Sequence, residues 1–145
     1  YGTATPEARK LRQLAAGLEL PPLSPIPEDH VLTRAFYLLQ DFPGRHLGQT
    51  IWVERAANTQ VQDGMPFRNL NDGVTPVVIG GNDWAAAWAT TPEGRPMLPV
   101  GRGFSGDRQR EIARRFGVNL IMHVLTGNYK SDQVHVPALL ERLGQ

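Results

Sequence analysis

The sequence predicts an α/β domain, because it contains one clear strand pattern and two clear helix patterns. The strand is the continuous β-branched run Thr75-Pro76-Val77-Val78-Ile79. The longer helix spans residues 107–126, where apolar side chains recur at helical spacing. The shorter helix follows Thr5-Pro6-Glu7, which supplies a cap, a proline at the first helical position and an early acidic residue. A chain of 145 residues is long enough for one such domain.

The N-terminal part is predicted to contain two helices and one strand, separated by extended chain. The first helix continues through Leu18, and the prolines at 21, 22, 25 and 27 keep the following run extended. Residues 28–39 predict a short helix with Asp29 as its cap. Residues 51–53 predict a short strand.

The middle of the chain predicts one buried strand among loops. Residues 55–73 are polar and end in a strong turn signal, so we expect a surface excursion or a hairpin there. The run 75–79 is apolar without alternation, which is typical of a strand buried on both faces in a parallel sheet. Residues 85–89 fit either a helical turn or a second strand. Residues 91–106 are loop-like, with a short extended piece at 97–98.

The helix predicted over 107–126 carries two adjacent apolar rows, which indicate a wide buried face. Gly117 within it indicates a close approach to a sheet, since glycine costs about 1 kcal/mol relative to alanine in a helix. Gly127 is the expected C-terminal cap, and Pro137 is expected to begin a final short helix. The rows are Ile112, Phe116, Leu120, Val124 and Ala113, Gly117, Ile121, Leu125, with Arg108, Arg110, Arg114 and Arg115 mostly on the opposite side.

Composition excludes several classes of function. The formal net charge is only +1, so no nucleic-acid surface is indicated. The absence of cysteine excludes a disulfide framework, a thiolate zinc site and a cysteine nucleophile within this chain. The apolar runs fall far short of the roughly 20 residues that a membrane helix needs. We therefore expect this chain to be soluble by itself.

The segment that follows the best predicted strand is the first candidate site. Asn82, Asp83 and Trp84 lie there and could supply an amide, a carboxylate acceptor and a stacking face. Ligands of open α/β sheets bind just beyond the carboxyl ends of strands, which favours a site. The alternative is structural, with Asn82 and Asp83 forming a turn and Trp84 packing on the core.

A second candidate is the run Gly101-Arg102-Gly103-Phe104-Ser105-Gly106, which matches the glycine spacing of dinucleotide-binding loops. Dinucleotide binding is disfavoured because Pro99 weakens the preceding strand and no strand ending in an acidic residue follows at the required distance. An anion site at the start of the helix, assisted by Arg102 or Arg108, is a further hypothesis.

The loop that follows the long helix is the third candidate. It is rich in side chains that can bond or stack, among them Asn128, Lys130, Asp132 and His135. Such a loop either binds a ligand or fastens the final helix to the domain, and the sequence leaves both open. The four histidines show no metal-ligand spacing, so no metal site is predicted and His123 is interpreted as a helix-end residue. No serine lies in a nucleophile elbow.

Four parts of the chain carry longer distinctive phrases, which are His30-Val31-Leu32-Thr33-Arg34-Ala35-Phe36-Tyr37-Leu38, residues 80–89, Gln109-Arg110-Glu111, and residues 116–120 with 125–130. With these phrases the chain resembles a bacterial family, the domain-of-unknown-function family 4159, over about residues 5–145. The resemblance implies the C-terminal part of a flavodoxin-like, three-layer domain similar to class I glutamine amidotransferases, and it implies attachment to a membrane protein in the intact form. It also implies that the N-terminal half of that domain lies outside this chain.

These observations predict a single domain over residues 1–145 that binds a ligand or a protein partner without catalysis. No cofactor is predicted, and the partner, the oligomeric state and the side of the membrane are left open. The alternative is an enzyme, a hydrolase or similar to an amidotransferase, whose site is completed by the missing half and includes Asn82, Asp83 and His135.

Overall fold

A computed structural model of the chain describes residues 4–56 and 75–126. These residues form a mixed α/β arrangement of three α-helices, three short strands and one turn of 3₁₀ helix, which confirms the predicted class at that level. In chain order the elements are α1 (Pro6–Ala15), β1 (Leu23–Pro25), the 3₁₀ turn (Val31–Thr33), β2 (Ile51–Glu54), β3 (Val78–Gly80), α2 (Trp84–Trp88) and α3 (Gly103–Thr126).

The three described strands form one antiparallel sheet in the order β1-β2-β3. Ser24 lies opposite Val53, and Trp52 lies opposite Ile79. The predicted strand at 51–53 is confirmed. The predicted extended run near Pro25 forms β1, which lies at the edge of the described sheet. Proline is tolerated in an edge strand because its missing N–H can face away from the neighbouring strand.

The prediction of a parallel strand at 75–79 is wrong in direction and extent. β3 is antiparallel to β2 and begins only at Val78. The hydroxyl of Thr75 donates to the Val77 carbonyl at 2.6 Å and accepts from the Glu54 amide at 2.9 Å, so it makes a local turn before the strand. An unbroken apolar run indicates burial, but strand direction depends on the neighbour with which the strand pairs.

The predicted helix over 28–39 is also wrong, because only the 3₁₀ turn forms there. Its cap is His30, not Asp29: the Nδ1 atom of His30 accepts from the Leu32 amide at 3.1 Å. The backbone beyond the turn is bound by the side chain of Asn119 in α3. The Asn119 amide oxygen accepts from the Phe36 and Tyr37 amides, and its nitrogen donates to the Leu32 and Tyr37 carbonyls. These bonds replace the ladder of an α-helix.

Helix α3 is confirmed, but it starts at Gly103 rather than at residue 107, and its buried face differs from the predicted one. Arg110, expected at the solvent, is buried and donates to the carbonyls of Ala87 and Leu98. Val124 and Leu125, expected to be buried, are 69% and 76% exposed. The buried positions of α3 are Gly106, Arg110, Ala113, Phe116, Asn119 and His123.

The described core is centred on Phe116. Its ring centroid lies 5.0 Å from that of Phe42 and 4.7 Å from that of Trp84. Gly117 gives α3 the close approach that was predicted, but the neighbour is the ring of Trp88 in α2 rather than a sheet: a Cβ at 117 would lie 3.3 Å from that ring. The other buried apolar residues of this cluster are Leu32, Leu39, Ile51 and Val53.

The remaining elements follow local sequence signals. Helix α1 has the predicted cap, since the Thr5 hydroxyl accepts from the Ala8 amide, but it ends at Ala15 instead of Leu18. Residues 84–88, left open between helix and strand, form α2. The extended piece expected at 97–98 is limited to an isolated bridge between Thr90 and Pro96 and one further backbone bond. The turn at 71–73, the Gly127 cap and the final helix from Pro137 lie outside the described residues.

Replacing Asn119 with alanine is expected to lower the free energy of unfolding by about 3 kcal/mol, because buried backbone groups lose their hydrogen-bond partners. Chemical denaturation would measure the loss. The matched control is Val118→Ala, at a half-exposed position of the same helix, which should change stability by no more than about 0.5 kcal/mol. Equal effects of the two substitutions would contradict the assigned role of Asn119.

Candidate functional site

The loop between β3 and α2 contains Asn82, the most deeply buried of the predicted site residues that lie in the described part of the chain. Its amide nitrogen donates to the Phe42 carbonyl at 2.7 Å, and its amide oxygen accepts from the Gln49 backbone amide at 3.1 Å. Its own carbonyl accepts from the His46 amide at 2.8 Å. Asn82 therefore binds the segment 42–49 to the end of the sheet.

Asp83 occupies the left-handed backbone region, with φ 57° and ψ 62°. Its carboxylate caps α2 by accepting from the Ala86 amide at 3.3 Å, and its carbonyl accepts from the Arg45 amide. Aspartate is one of the few residues that tolerate this conformation, because its short side chain bonds locally. Asp83 thus has the structural role in a turn that was considered as the alternative to a ligand-binding role.

Trp84 packs its ring on the core rather than presenting it to solvent. Its ring lies against Phe116, and its indole nitrogen donates to the Phe42 carbonyl at 2.9 Å. The same carbonyl accepts from Asn82, so two side chains of one loop fix the position of Phe42.

An open pocket of about 410 Å³ lies beside this loop, between the segment 40–51 and the end of β1. We call it the Asn82 pocket, because Asn82 is the predicted site residue among its described lining residues. Its described lining residues are Pro25, Ile26, Gln40, Asp41, Phe42, Pro43, Leu47, Gly48, Gln49, Thr50, Ile51 and Asn82.

The Asn82 pocket combines an apolar wall with a polar rim. Phe42 and Ile51 are buried core residues that present part of their surface to the pocket. Gln40, Asp41 and Gln49 are exposed at its edge. Of the described lining residues, Asp41 is the single ionisable one. Its carboxylate places one negative charge at the rim of the pocket.

The glycines at the start of α3 are needed for the backbone conformation there. Gly101 has φ 59°, and a Cβ on Gly106 would collide with the carbonyl of Val100. Arg102 and Arg108 are both exposed at the start of α3. The anion site suggested for them is not tested by this geometry and stays a prediction.

The structure brings together two histidines that are far apart in the sequence and share no motif. His30 and His123 are both buried, with ring centroids 6.5 Å apart. His123 lies in the last turn of α3, as predicted for a helix-end residue, and it is buried there with its Nε2 atom 3.1 Å from the Thr75 carbonyl. Burial, together with the nearby His123, lowers the pKa of His30 to about 4, although Asp29 opposes the shift.

No metal cluster is formed by the described residues, since no three histidine or acidic side chains converge in residues 4–56 and 75–126. The candidate residues Asn128, Lys130, Asp132 and His135 lie outside the described part. The role in ligand binding suggested for them therefore stays a prediction.

Asp41 and the two glutamines of the pocket rim were missed by the sequence analysis. They lie in a turn-rich segment around Phe42-Pro43-Gly44, with no motif or periodicity to single them out. Only the fold brings them opposite Ile26 and Asn82. The one available signal was the concentration of polar side chains on either side of that turn.

None of the helices in the described residues is both long and apolar enough to span a membrane.

The family model for Domain of unknown function (DUF4159) matches residues 2–125. The match covers most of the chain and confirms the family that the resemblance indicated. No curated protein matches the chain. The family description assigns no reaction or ligand.

Replacing Asp83 with alanine is expected to lower the free energy of unfolding by about 2 kcal/mol, since it removes a helix cap and leaves a left-handed backbone without a tolerant side chain. Asp83→Asn keeps both properties and should stay within about 0.5 kcal/mol of the parent. Thermal or chemical denaturation measures both variants. A large loss in Asp83→Asn would show that the carboxylate has another role.

Stability is expected to fall as the pH drops from about 6.5 to about 4, the unfolded and folded pKa values of His30. In this window the unfolded chain binds a proton at His30 that the folded chain binds only near pH 4. The stabilisation that comes from the lowered pKa of His30 is fully present above pH 6.5. As the pH falls towards 4, the free energy of unfolding loses up to about 3 kcal/mol.

His30→Asn keeps a side-chain oxygen at the cap position but removes the titrating group, so it should flatten this pH dependence. His46→Asn, at an exposed position, should leave the dependence unchanged. Denaturation curves recorded between pH 4 and 7.5 test both variants, and an equal slope in the parent and His30→Asn proteins would refute the assignment.

Proposed function

The chain belongs to the family Domain of unknown function (DUF4159), and we propose that it is a non-catalytic domain that binds a small molecule in the Asn82 pocket. The observation that carries this proposal is the pocket itself, with its volume of about 410 Å³. Small-molecule sites commonly have volumes of this order, an apolar lining and a few polar groups that orient the ligand.

The pocket wall is held in place before any ligand arrives. Segment 42–49 is bound to the sheet by Asn82 and to α3 by Gln109, whose side-chain nitrogen donates to the carbonyls of Gly44 and Arg45. A wall fixed in this way loses little conformational entropy on binding, which favours affinity. These contacts support a formed site rather than a chance depression in a loop.

The chemistry of the lining favours binding over catalysis. General acid–base reactions commonly use two titratable groups with different pKa values. The described lining residues provide one, the Asp41 carboxylate, and the hydroxyl of Thr50 has no described histidine beside it in the lining. Asp83, the acidic residue of the alternative enzymatic hypothesis, caps α2 and is not among these lining residues.

The sequence resemblance supports a wider setting for this domain. In that setting the chain is part of a flavodoxin-like domain of a bacterial protein that is attached to a membrane through other segments.

The variant Leu47→Trp tests the proposal, because Leu47 is exposed, lines the pocket, and can be enlarged there without disturbing the core. We expect at least one of three six-carbon probes, hexanol, hexylammonium or hexanoate, to shift the backbone NMR signals of Gln40, Gln49 and Thr50 in the parent. Leu47→Trp should abolish these shifts.

The matched control is Leu14→Trp, an equally conservative change at an exposed position of α1 that does not line the pocket. It should bind the probes as the parent does. The absence of shifts with all three probes, or their persistence in Leu47→Trp, would overturn the proposed function.

A further inference from the structure

We propose that the ligand of the Asn82 pocket is an organic cation with an apolar body, whose ammonium or similar head pairs with Asp41. This inference rests on the proposed function and adds the chemical class of the ligand. It follows from the charge of the rim, the hydrogen-bond capacity beside it and the apolar wall below it.

The charge of the pocket is one-sided. Asp41 is ionisable, whereas none of the described lining residues is lysine, arginine or histidine. The ion pair identified in the described part of the chain joins Arg115 to Glu111 on the surface of α3 and does not involve Asp41. Within residues 4–56 and 75–126, no ion pair engages the Asp41 carboxylate, and an anionic ligand would meet its repulsion with no positive charge among the described lining residues to offset it.

The neutral polar groups of the rim suit the same head group. The side chains of Gln40 and Gln49 are exposed and offer carbonyl oxygens that can accept from an ammonium. By contrast, the side chain of Asn82 already bonds Phe42 and Gln49 and acts chiefly to hold the wall. A cation with several N–H donors can thus satisfy a carboxylate and one or two amide oxygens together.

The apolar part of the ligand is expected to lie on Ile26, Phe42 and Ile51. Phe42 and Ile51 belong to the described core, so their positions are fixed by packing. Covering the half-buried Ile26, together with the small accessible parts of Phe42 and Ile51, removes apolar surface from water and adds affinity without directional requirements.

Competition among matched probes tests the class of ligand. Hexylammonium, hexanol and hexanoate share one apolar body and differ in the charge of the head. NMR titration at pH 7 should show that hexylammonium binds about fivefold more tightly than hexanol, the scale expected of one exposed ion pair, and that hexanoate binds more weakly than both. Added salt should reduce the preference for the cation.

Two substitutions at Asp41 test whether its carboxylate causes the tighter binding of the cationic probe. Asp41→Asn should make hexylammonium and hexanol bind alike, and Asp41→Lys should reverse the order in favour of hexanoate. Asp41 is exposed, so neither change disturbs the core. The control Glu93→Gln removes one negative charge from an exposed loop outside the described lining and should leave the order of the probes unchanged.

The outcomes separate this inference from the proposed function. Equal binding of all three probes, or tighter binding of hexanoate by the parent, overturns the cationic class but leaves the pocket as a binding site. A cation preference that survives in Asp41→Asn also overturns the inference, since the head group must then bind elsewhere. The absence of binding by any probe overturns both proposals.

Discussion

The irregular parts of this protein depend on hydrogen bonds that buried polar side chains of α3 make with distant backbone groups. Asn119 binds the segment after the 3₁₀ turn, Arg110 binds the carbonyls of Ala87 and Leu98, and His123 binds Thr75. Backbone groups that are removed from water must find partners, and segments without regular secondary structure cannot supply them internally. Helix α3 supplies them, so it organises the loops as well as the core.

The candidate site is a product of the same arrangement. Asn82 of the β3–α2 loop binds both ends of the segment that forms the pocket wall, at Phe42 and Gln49. Gln109 of α3 binds the middle of the same segment, at the carbonyls of Gly44 and Arg45. Phe42 links this wall to the core, since its ring packs on Phe116 while its carbonyl accepts from Asn82 and Trp84. A site of this kind has a rigid apolar wall and a polar rim that is free to meet a ligand.

The loop singled out from the sequence is close to the proposed site, but most of its side chains serve the fold. Asn82 lines the pocket, whereas Asp83 caps α2 and Trp84 packs on Phe116. Local chemistry could identify the turn, because the side-chain types of a strand end are visible in the sequence. It could not identify Asp41, which is far from Asn82 in sequence and is brought to the same pocket only by folding.

The sequence by itself determined the features that depend on neighbouring residues. These include the mixed α/β class, the capped start of α1, strand β2, and most of α3. Tertiary structure decided the direction of β3, the loss of a helix after His30 and the buried face of α3. The reason is physical: capping and periodicity act over a few residues, whereas strand pairing and the bonds of Asn119 join residues that are distant in sequence.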